Sequence, residues 1–263
     1  MLLREKKIVI IGGTTGMGLS ATRAFIDQGA KVVAVGLDEG SCKNVREEFQ
    51  TDIGVLRRDA TREQTAQDAV ELCLEKFNGF DGLYHVAGGS GRKMGDGPLH
   101  ELTLEGWNKT LELNLTSMML SNRAAVRSFK SRETEGAILN MGSVLGYSPS
   151  PGYFTTHAYA AAKSAVIGYS QSIAAHYAKD NIRVNVIAPG LVETPMAQRA
   201  AQDPEIMKFI KTKQPLQHGR IAQPEDLDGA ACYFMSDHSR FTTGQFLAID
   251  GGWSISEGQF KGE

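Results

Sequence analysis

Lys6-Lys-Ile-Val-Ile-Ile-Gly-Gly-Thr-Thr-Gly-Met-Gly18 is a short apolar run that ends in a cluster of glycines and leads into an amphipathic stretch through Ala30. The run reads as a buried β-strand, the glycines as a tight turn and the remainder as a helix. That setting is what a phosphate-cradling loop requires, because glycines let the main chain turn sharply and approach a pyrophosphate whose charge sits at the helix N-terminus. An ordinary strand-to-helix turn reads the same way, so the stretch decides the fold class before it decides a function. Gly12, Gly16 and Gly18 are spaced Gly-x-x-x-Gly-x-Gly, unlike the Gly-x-Gly-x-x-Gly of other dinucleotide folds.

The alternation continues outward. Apolar, β-rich runs recur near residues 31–36, 53–57, 81–86, 136–142, 181–188 and 245–249, and the linking segments are mostly long enough for helices. This pattern predicts an α/β, Rossmann-like doubly wound fold, a parallel sheet of about seven strands covered by helices on both faces, with the site at the strands' C-terminal ends. Residues 88–102 and 190–219 are irregular and follow strand ends, where substrate-contacting loops belong. With no repeat, low-complexity tract or linker, residues 1–263 are expected to form a single dinucleotide-binding and catalytic domain with its substrate loop at about 190–219.

Bulk properties narrow the function classes. The 263 residues are 41% hydrophobic and 22% charged, which suits one domain with a full core. A net charge of −2 gives no electrostatic reason to expect nucleic acid or an anionic membrane as partner. Cys42, Cys73 and Cys232 are far apart, with no Cys-x-x-Cys pair, and read as buried thiols in a reducing compartment. The six histidines show no His-x-x-x-His or His-Glu-x-x-His spacing, so no catalytic metal is expected. No apolar run is long enough to span a bilayer and no apolar region with a cleavage site opens the chain, so a cytoplasmic protein is expected.

Chemistry enters with His157-Ala-Tyr-Ala-Ala-Ala-Lys-Ser164. On a helix, Tyr159 and Lys163 share one face, and a phenol beside an ammonium is an acid/base device. Free tyrosine titrates near ~10, and a neighbouring positive charge favours the phenolate. Such a group can pass a proton to or from an alcohol oxygen. Alone the pair is as easily a solvated helix face, and its meaning comes from its company.

The glycine turn near the start, together with Tyr159-x-x-x-Lys163 past the middle, resembles the short-chain dehydrogenase/reductase family. Further matches follow in order: Asp59 after a third strand, Ala87-Gly88 after a fourth, Asn114 within Leu113-Asn-Leu115, and Ser143 at the end of the strand beginning at Ala137. Asn185 to Thr194 is similar to the family's segment around the nicotinamide, and Gly244 with Asp250-Gly-Gly252 to its closing strand and turn. Hydride transfer to a ketone builds charge on the oxygen, so the site needs a proton donor and a hydrogen-bond donor there. The resemblance implies Tyr159 as acid/base, Ser143 as the group that orients the carbonyl or alcohol, and Lys163 as the residue that lowers the Tyr159 pKa and holds the nicotinamide ribose. It implies that Asn114 holds a water linking Lys163 to solvent.

For the cofactor, the resemblance implies contacts from Gly12, Thr14, Thr15, Gly16, Met17 and Gly18 in the turn, from Leu37 and Asp38 after the second strand, and from Asp59 and Ala60 after the third. Ala87, Gly88, Tyr159, Lys163, Pro189, Gly190, Val192 and Thr194 complete that set. Substrate contacts are expected from Ser143, Tyr153, His157, Tyr159 and Met196. Relatives that prefer NAD commonly carry aspartate where Gly36 stands, and those that prefer NADP often carry arginine where Leu37 stands. Neither is present, but Asp38 and Glu39 would repel a 2′-phosphate, so NAD is expected ahead of NADP.

Departures from the family pattern mark places to inspect. Ile11 stands for a threonine and His85-Val86 for Asn-Asn, which removes polar contacts between the turn and the fourth strand. Gly142 replaces a serine before Ser143. Residues 147–157 form a longer segment than usual and are expected to reshape one wall of the substrate pocket. Lys208, Lys211 and Lys213 are candidates to meet an acidic substrate or to form a wet helix face, and Met196, Ile206, Met207, Phe209 and Ile210 are candidates for an apolar lid.

The resulting expectation is an NAD(P)-dependent oxidoreductase that interconverts a secondary alcohol and a ketone of small size. The alternatives are a 3-oxoacyl-thioester reductase and a nucleotide-binding regulator without catalysis; relatives that reduce enoyl thioesters space Tyr and Lys more widely. A homotetramer is expected from the apolar stripes of two helices, about Glu105 to Ser131 with Met118, Met119, Ala125, Val126 and Phe129, and Tyr159 to Lys179 with Ala161, Ala165, Tyr169, Ile173 and Tyr177.

Overall fold

The computed structural model describes residues 1–258. Its strands are β1 (Lys7–Ile11), β2 (Lys31–Gly36), β3 (Ile53–Arg57), β4 (Gly82–His85), β5 (Gly136–Met141), β6 (Ile182–Pro189) and β7 (Phe246–Ile249). They form one seven-stranded sheet in the order β3-β2-β1-β4-β5-β6-β7. Each neighbouring pair is parallel. Every expected strand is present within a residue or so of its expected ends.

A parallel sheet needs helical crossovers, and their apolar stripes bury both of its faces. Ile8, Ile10 and Tyr84 pack on one face with Phe25 of α1 (Gly16–Asp27) and Val45 of α2 (Glu39–Phe49). Val9, Ile11 and Leu83 pack on the other with Ala69 and Val70 of α3 (Glu63–Phe77). Successive residues of β1 thus serve opposite faces, which is why the strand reads as continuously apolar.

The stretch expected to be one helix from Glu105 is interrupted. It runs as α4 (Leu104–Leu111), a π turn (Glu112–Thr116) that contains Asn114, and α5 (Ser117–Arg132). The next long helix, α6 (His157–Tyr177), begins two residues before Tyr159. Met118, Ala125, Val126 and Phe129 are buried within the chain's own core, which corrects the expectation that they form an outward stripe. Met119 and the α6 residues Ala161, Ala165, Tyr169, Ile173 and Tyr177 are half-buried, and more exposed apolar side chains include Phe246 and Leu247 on the edge strand β7, with Phe241 and Tyr233 close by in sequence. Residues 190–219 are likewise more ordered than expected, holding α7 (Gln198–Ala201), α8 (Pro204–Lys213) and a turn in which Gln217 and His218 are left-handed, before α9 (Asp228–Met235) packs beside α1.

The departures at Ile11 and His85 have a clear outcome. Ile11 is 1% exposed and joins the core, and its carbonyl accepts the N–H groups of Val86 and Ala87 at 2.9 Å each. Main chain therefore supplies the brace between turn and fourth strand that the missing side chains were expected to weaken. His85 points instead at α5, where its Nδ1 lies 2.8 Å from the Ser121 hydroxyl and its Nε2 3.3 Å from that of Ser117. Burial, and next the Lys163 charge, hold its pKa down to about 3, so the ring is a neutral strut between β4 and the helix behind Asn114.

All three cysteines are buried and free. Among the described residues no cluster of His, Cys, Asp or Glu is placed to hold a metal, and no helix is long and apolar enough to cross a membrane.

The glycine turn works through close main-chain contact. A Cβ on Gly18 would lie 1.9 Å from the Gly12 carbonyl oxygen, and one on Gly12, where φ is +89°, would lie 2.8 Å from the Ala87 nitrogen. Gly18→Ala should therefore force the turn open, costing roughly 1–3 kcal/mol in urea denaturation and abolishing nicotinamide-nucleotide binding by fluorescence titration.

Candidate active site

At the β1/β4 boundary, successive crossovers leave in opposite directions and open a crevice at the C-terminal strand ends. A cleft of about 280 Å³ lies there. Met17, Gly88, Asn114, Ser143, Tyr159, Lys163, Pro189, Gly190, Val192, Thr194 and Met196 all line it. The four residues expected to be catalytic, which lie on β5's end, the π turn and α6, are thus brought together.

Lys163 is 3% exposed, and its Nζ donates to the Met141 carbonyl at 2.8 Å. Burial lowers its pKa from the usual lysine value to about 8. The ammonium stands 5.6 Å from the centre of the Tyr159 ring. The expected depression of the tyrosine is not the outcome: burial raises the phenol, and the Ser143 hydroxyl only partly offsets it. Tyr159 therefore rests as a protonated acid.

Ser143 leaves β5 in extended conformation, and its Oγ accepts the Leu145 N–H at 3.2 Å, which leaves its own proton to donate into the cleft. The following turn, Val144–Gly146, presses on α6 because Gly146 has no side chain; a Cβ there would lie 2.7 Å from the Lys163 carbonyl carbon. Gly142, read as a neutral replacement, is also a tight position, since a Cβ would lie 2.9 Å from Val186.

The Asn114 side chain is tied to main chain. Its Nδ2 donates to the carbonyls of Gly89 at 2.8 Å and Thr110 at 2.9 Å, and its Oδ1 accepts the Gly89 N–H at 3.1 Å. The side chain thus clamps the loop after β4. Asp96 in that loop, unnoticed in the sequence, accepts the N–H groups of Ala158 at 3.0 Å and Tyr159 at 2.9 Å and so fixes the start of α6. Gln214, also missed, is 1% exposed and accepts the Leu191 N–H at 2.5 Å, pinning the segment after β6.

The remaining nucleotide-side residues extend from the cleft along the strand ends. Thr15 is the N-cap of α1 but makes no side-chain cap, and no acidic residue occupies the helix's first turn, so its N–H groups are open to an anion. Thr14 is buried, 3.3 Å from the Ser41 hydroxyl, and Gly36 gives it room, since a Cβ there would lie 2.1 Å from the Thr14 hydroxyl. Leu37 is exposed, Asp38 caps α2 through the Ser41 N–H at 2.7 Å, and Asp59 accepts from Thr61 at 2.9 and 2.8 Å. Ala60 follows Asp59 at the end of β3, and Ala87 meets Gly12. The glycine cradle and the uncapped helix end fit a dinucleotide.

Two expected substrate residues are placed differently. His157 is exposed at the start of α6 and does not line the cleft. The Tyr153 ring packs against Phe209, with centroids 5.3 Å apart, and the residue does not line the cleft; its carbonyl accepts from Arg92 and Arg199, which do. Met196 lines the cleft at 50% exposure, whereas Ile206 and Ile210 pack down on Trp253 and Val144. Lys208 and Lys211 do not line the cleft, and Lys213 donates to the Ser256 carbonyl beside Trp253. Besides Lys163, the cationic residues lining the cleft are Arg92, Lys93 and Arg199.

Residues 12–254 match a family profile described as enoyl-(acyl carrier protein) reductase. The chain belongs to the short-chain dehydrogenase/reductase family. It is 32% identical over 256 residues to the 2,5-dichloro-2,5-cyclohexadiene-1,4-diol dehydrogenase LinX of Sphingobium indicum, covering 96% of this chain and 98% of that one. It is 32% identical over 253 residues to a cis-4-hydroxycyclohexanecarboxylate dehydrogenase of Sinomonas cyclohexanicum, covering 95% and 97% of the two. Among solved structures, gox2181 superposes with a TM-score of 0.88 at 27% identity, over 96% of this chain and 98% of that one. This short-chain dehydrogenase is therefore an oxidoreductase that works with a nicotinamide cofactor.

The Lys163 charge has a measurable cost. Because its pKa falls from 10.5 to about 8 on folding, the unfolded chain alone holds the proton between those values, and stability rises with pH through that window. Compared by urea denaturation without cofactor, the wild type should gain on the order of 3 kcal/mol relative to Lys163→Met between pH 8 and 10.5.

Proposed function

We propose that the protein is an NAD-dependent oxidoreductase that interconverts a secondary alcohol and a ketone, with Tyr159 as acid/base. The observation that carries this reading is the convergence of Ser143 and Tyr159 on one cleft, with buried Lys163 directly behind the phenol. Relatives named for ring-borne alcohols support the same class of reaction.

The nicotinamide supplies hydride acceptance or delivery when bound. The glycine turn and the open end of α1 would hold its diphosphate, and Gly88, Lys163 and residues 189–194 would hold its nicotinamide half. Ser143 donates to the substrate oxygen and fixes its position. Tyr159, protonated at rest, gives its proton to that oxygen as charge develops, and in the opposite direction takes the alcohol proton. Lys163 stabilises the phenolate so formed, and the Met141 carbonyl keeps its ammonium in place.

NAD preference rests on Asp38, one of whose oxygens is free beside the end of β2. Arg57 is a basic group beside that site, but its Nε donates to the Leu37 carbonyl at 3.2 Å and its Nη1 pairs with Glu39 at 3.4 Å. A homotetramer is proposed as well, supported by the apolar edge at β7; light scattering on the purified chain tests it, and a fully active monomer would refute it.

Tyr159→Phe should lower kcat by ~10²- to 10⁴-fold while cofactor binding survives, measured at the nicotinamide absorbance with a panel of ketones and alcohols. Near-normal turnover would sink the assignment. NADH should bind more tightly than NADPH by fluorescence titration, and Leu37→Arg should shift the preference toward NADPH; tighter NADPH binding by the wild type, lost in Arg57→Ala, would show that Arg57 holds the 2′-phosphate.

A further inference from the structure

The cleft carries more positive charge than its proposed chemistry uses. Arg92, from the loop after β4, and Arg199, from α7, both line it and approach each other. Their Nη2 atoms donate to one and the same acceptor, the Tyr153 carbonyl, at 3.1 and 3.3 Å. A single carbonyl satisfies a small share of the donors on two guanidinium groups. Among the described residues neither arginine forms an ion pair, whereas Arg23, Arg58, Arg123 and Arg220 do. The nearby carboxylate, Asp96, is spent on the N–H groups of Ala158 and Tyr159. Two like charges are therefore held together by a weak neutral acceptor, and their mutual repulsion and the partial burial of Arg92 both act against its charge. An anion between them would remove both costs and gain charge-assisted, forked hydrogen bonds.

The geometry ties this pair to the reacting group. Asp96 lies four residues after Arg92 and binds the first turn of the helix that carries Tyr159, so loop and phenol hold a fixed relation. Leu145, Phe154, Met196 and Trp253 line the same cleft and give it apolar walls for a carbon frame.

We propose that Arg92 and Arg199 form an anion clamp of the substrate pocket, and that the substrate is a hydroxy or oxo acid whose carboxylate they grip while its alcohol or ketone faces Tyr159. The clamp rests on the reading of this cleft as an alcohol–ketone site, and the test separates the two. The wild type is assayed with NADH on 3-oxocyclohexanecarboxylate and 4-oxopentanoate, each against its methyl ester. In parallel, binding of the unreactive acid cyclohexanecarboxylate is compared with that of cyclohexanecarboxamide by calorimetry on the NADH-loaded protein.

The carboxylates should exceed their esters in kcat/KM by roughly 10- to 100-fold, mainly through KM. That ratio should fall to about one in the Arg92→Gln/Arg199→Gln double variant, or fall partway in Arg199→Gln alone if the double variant does not fold. Arg199→Lys should restore part of it, and the unreactive acid should bind the wild type but not the variants. Ester turnover equal to or above that of the acids, with a ratio unmoved by the substitutions, would overturn the clamp and leave the alcohol–ketone reading standing. Arginine-dependent binding of cyclohexanecarboxylate without reduction of any ketone would uphold the clamp and overturn that reading.

Discussion

Main chain meets main chain at Gly12 and Gly18, and the rest of the site is hung from that contact. Helix α1 can begin where it does because only a hydrogen projects from Gly18 toward the Gly12 carbonyl, 1.9 Å from where a Cβ would sit. The same turn lies against Ala87, so the ends of β1 and β4 are joined without side chains. This closeness sets the floor of the crevice. It also explains why Ile11 and His85 can depart from the family's polar pattern: the brace that the family's polar side chains were expected to provide is made by N–H and C=O groups, and His85 is released to prop α5.

Behind the cleft, small polar contacts hold the helices in register. Asn114 grips both main-chain groups of Gly89, Asp96 grips the first turn of α6, and Gly146 lets the turn after Ser143 lie against Lys163's own main chain. Each of these ties together residues well separated along the chain. Together they fix Ser143 and Tyr159 relative to each other with little help from long flexible side chains, as a proton-transfer site requires.

Charge placement divides the cleft into two regions. At the inner end, Lys163 carries a buried ammonium held by a carbonyl, and its pKa of about 8 records the strain of a cation without a carboxylate partner. At the opposite wall, Arg92 and Arg199 share a carbonyl in the same way. Each site has a cation whose protein partner is weaker than the ligand group proposed for it, which favours binding at both.

Much of this was legible along the chain. Strand positions, sheet type and the place of the glycine turn follow from local apolar periodicity and from glycine's conformational freedom, which depend on near neighbours in sequence. Asn114, Ser143, Tyr159 and Lys163 were legible because order along the chain and four-residue helical spacing survive folding. What the linear chain did not disclose is how groups from distant segments meet. Asp96 as a cap for α6, the inward burial of the α5 stripe, the commitment of Asn114 to Gly89 and the rise rather than fall of the Tyr159 pKa all arise from burial and from contacts between distant segments. The pairing of Arg92 with Arg199 belongs to the same class: 107 positions separate the two, and only the closing of two strand-end loops over one cleft, each anchored by its own buried polar side chain, brings their charges to a common acceptor.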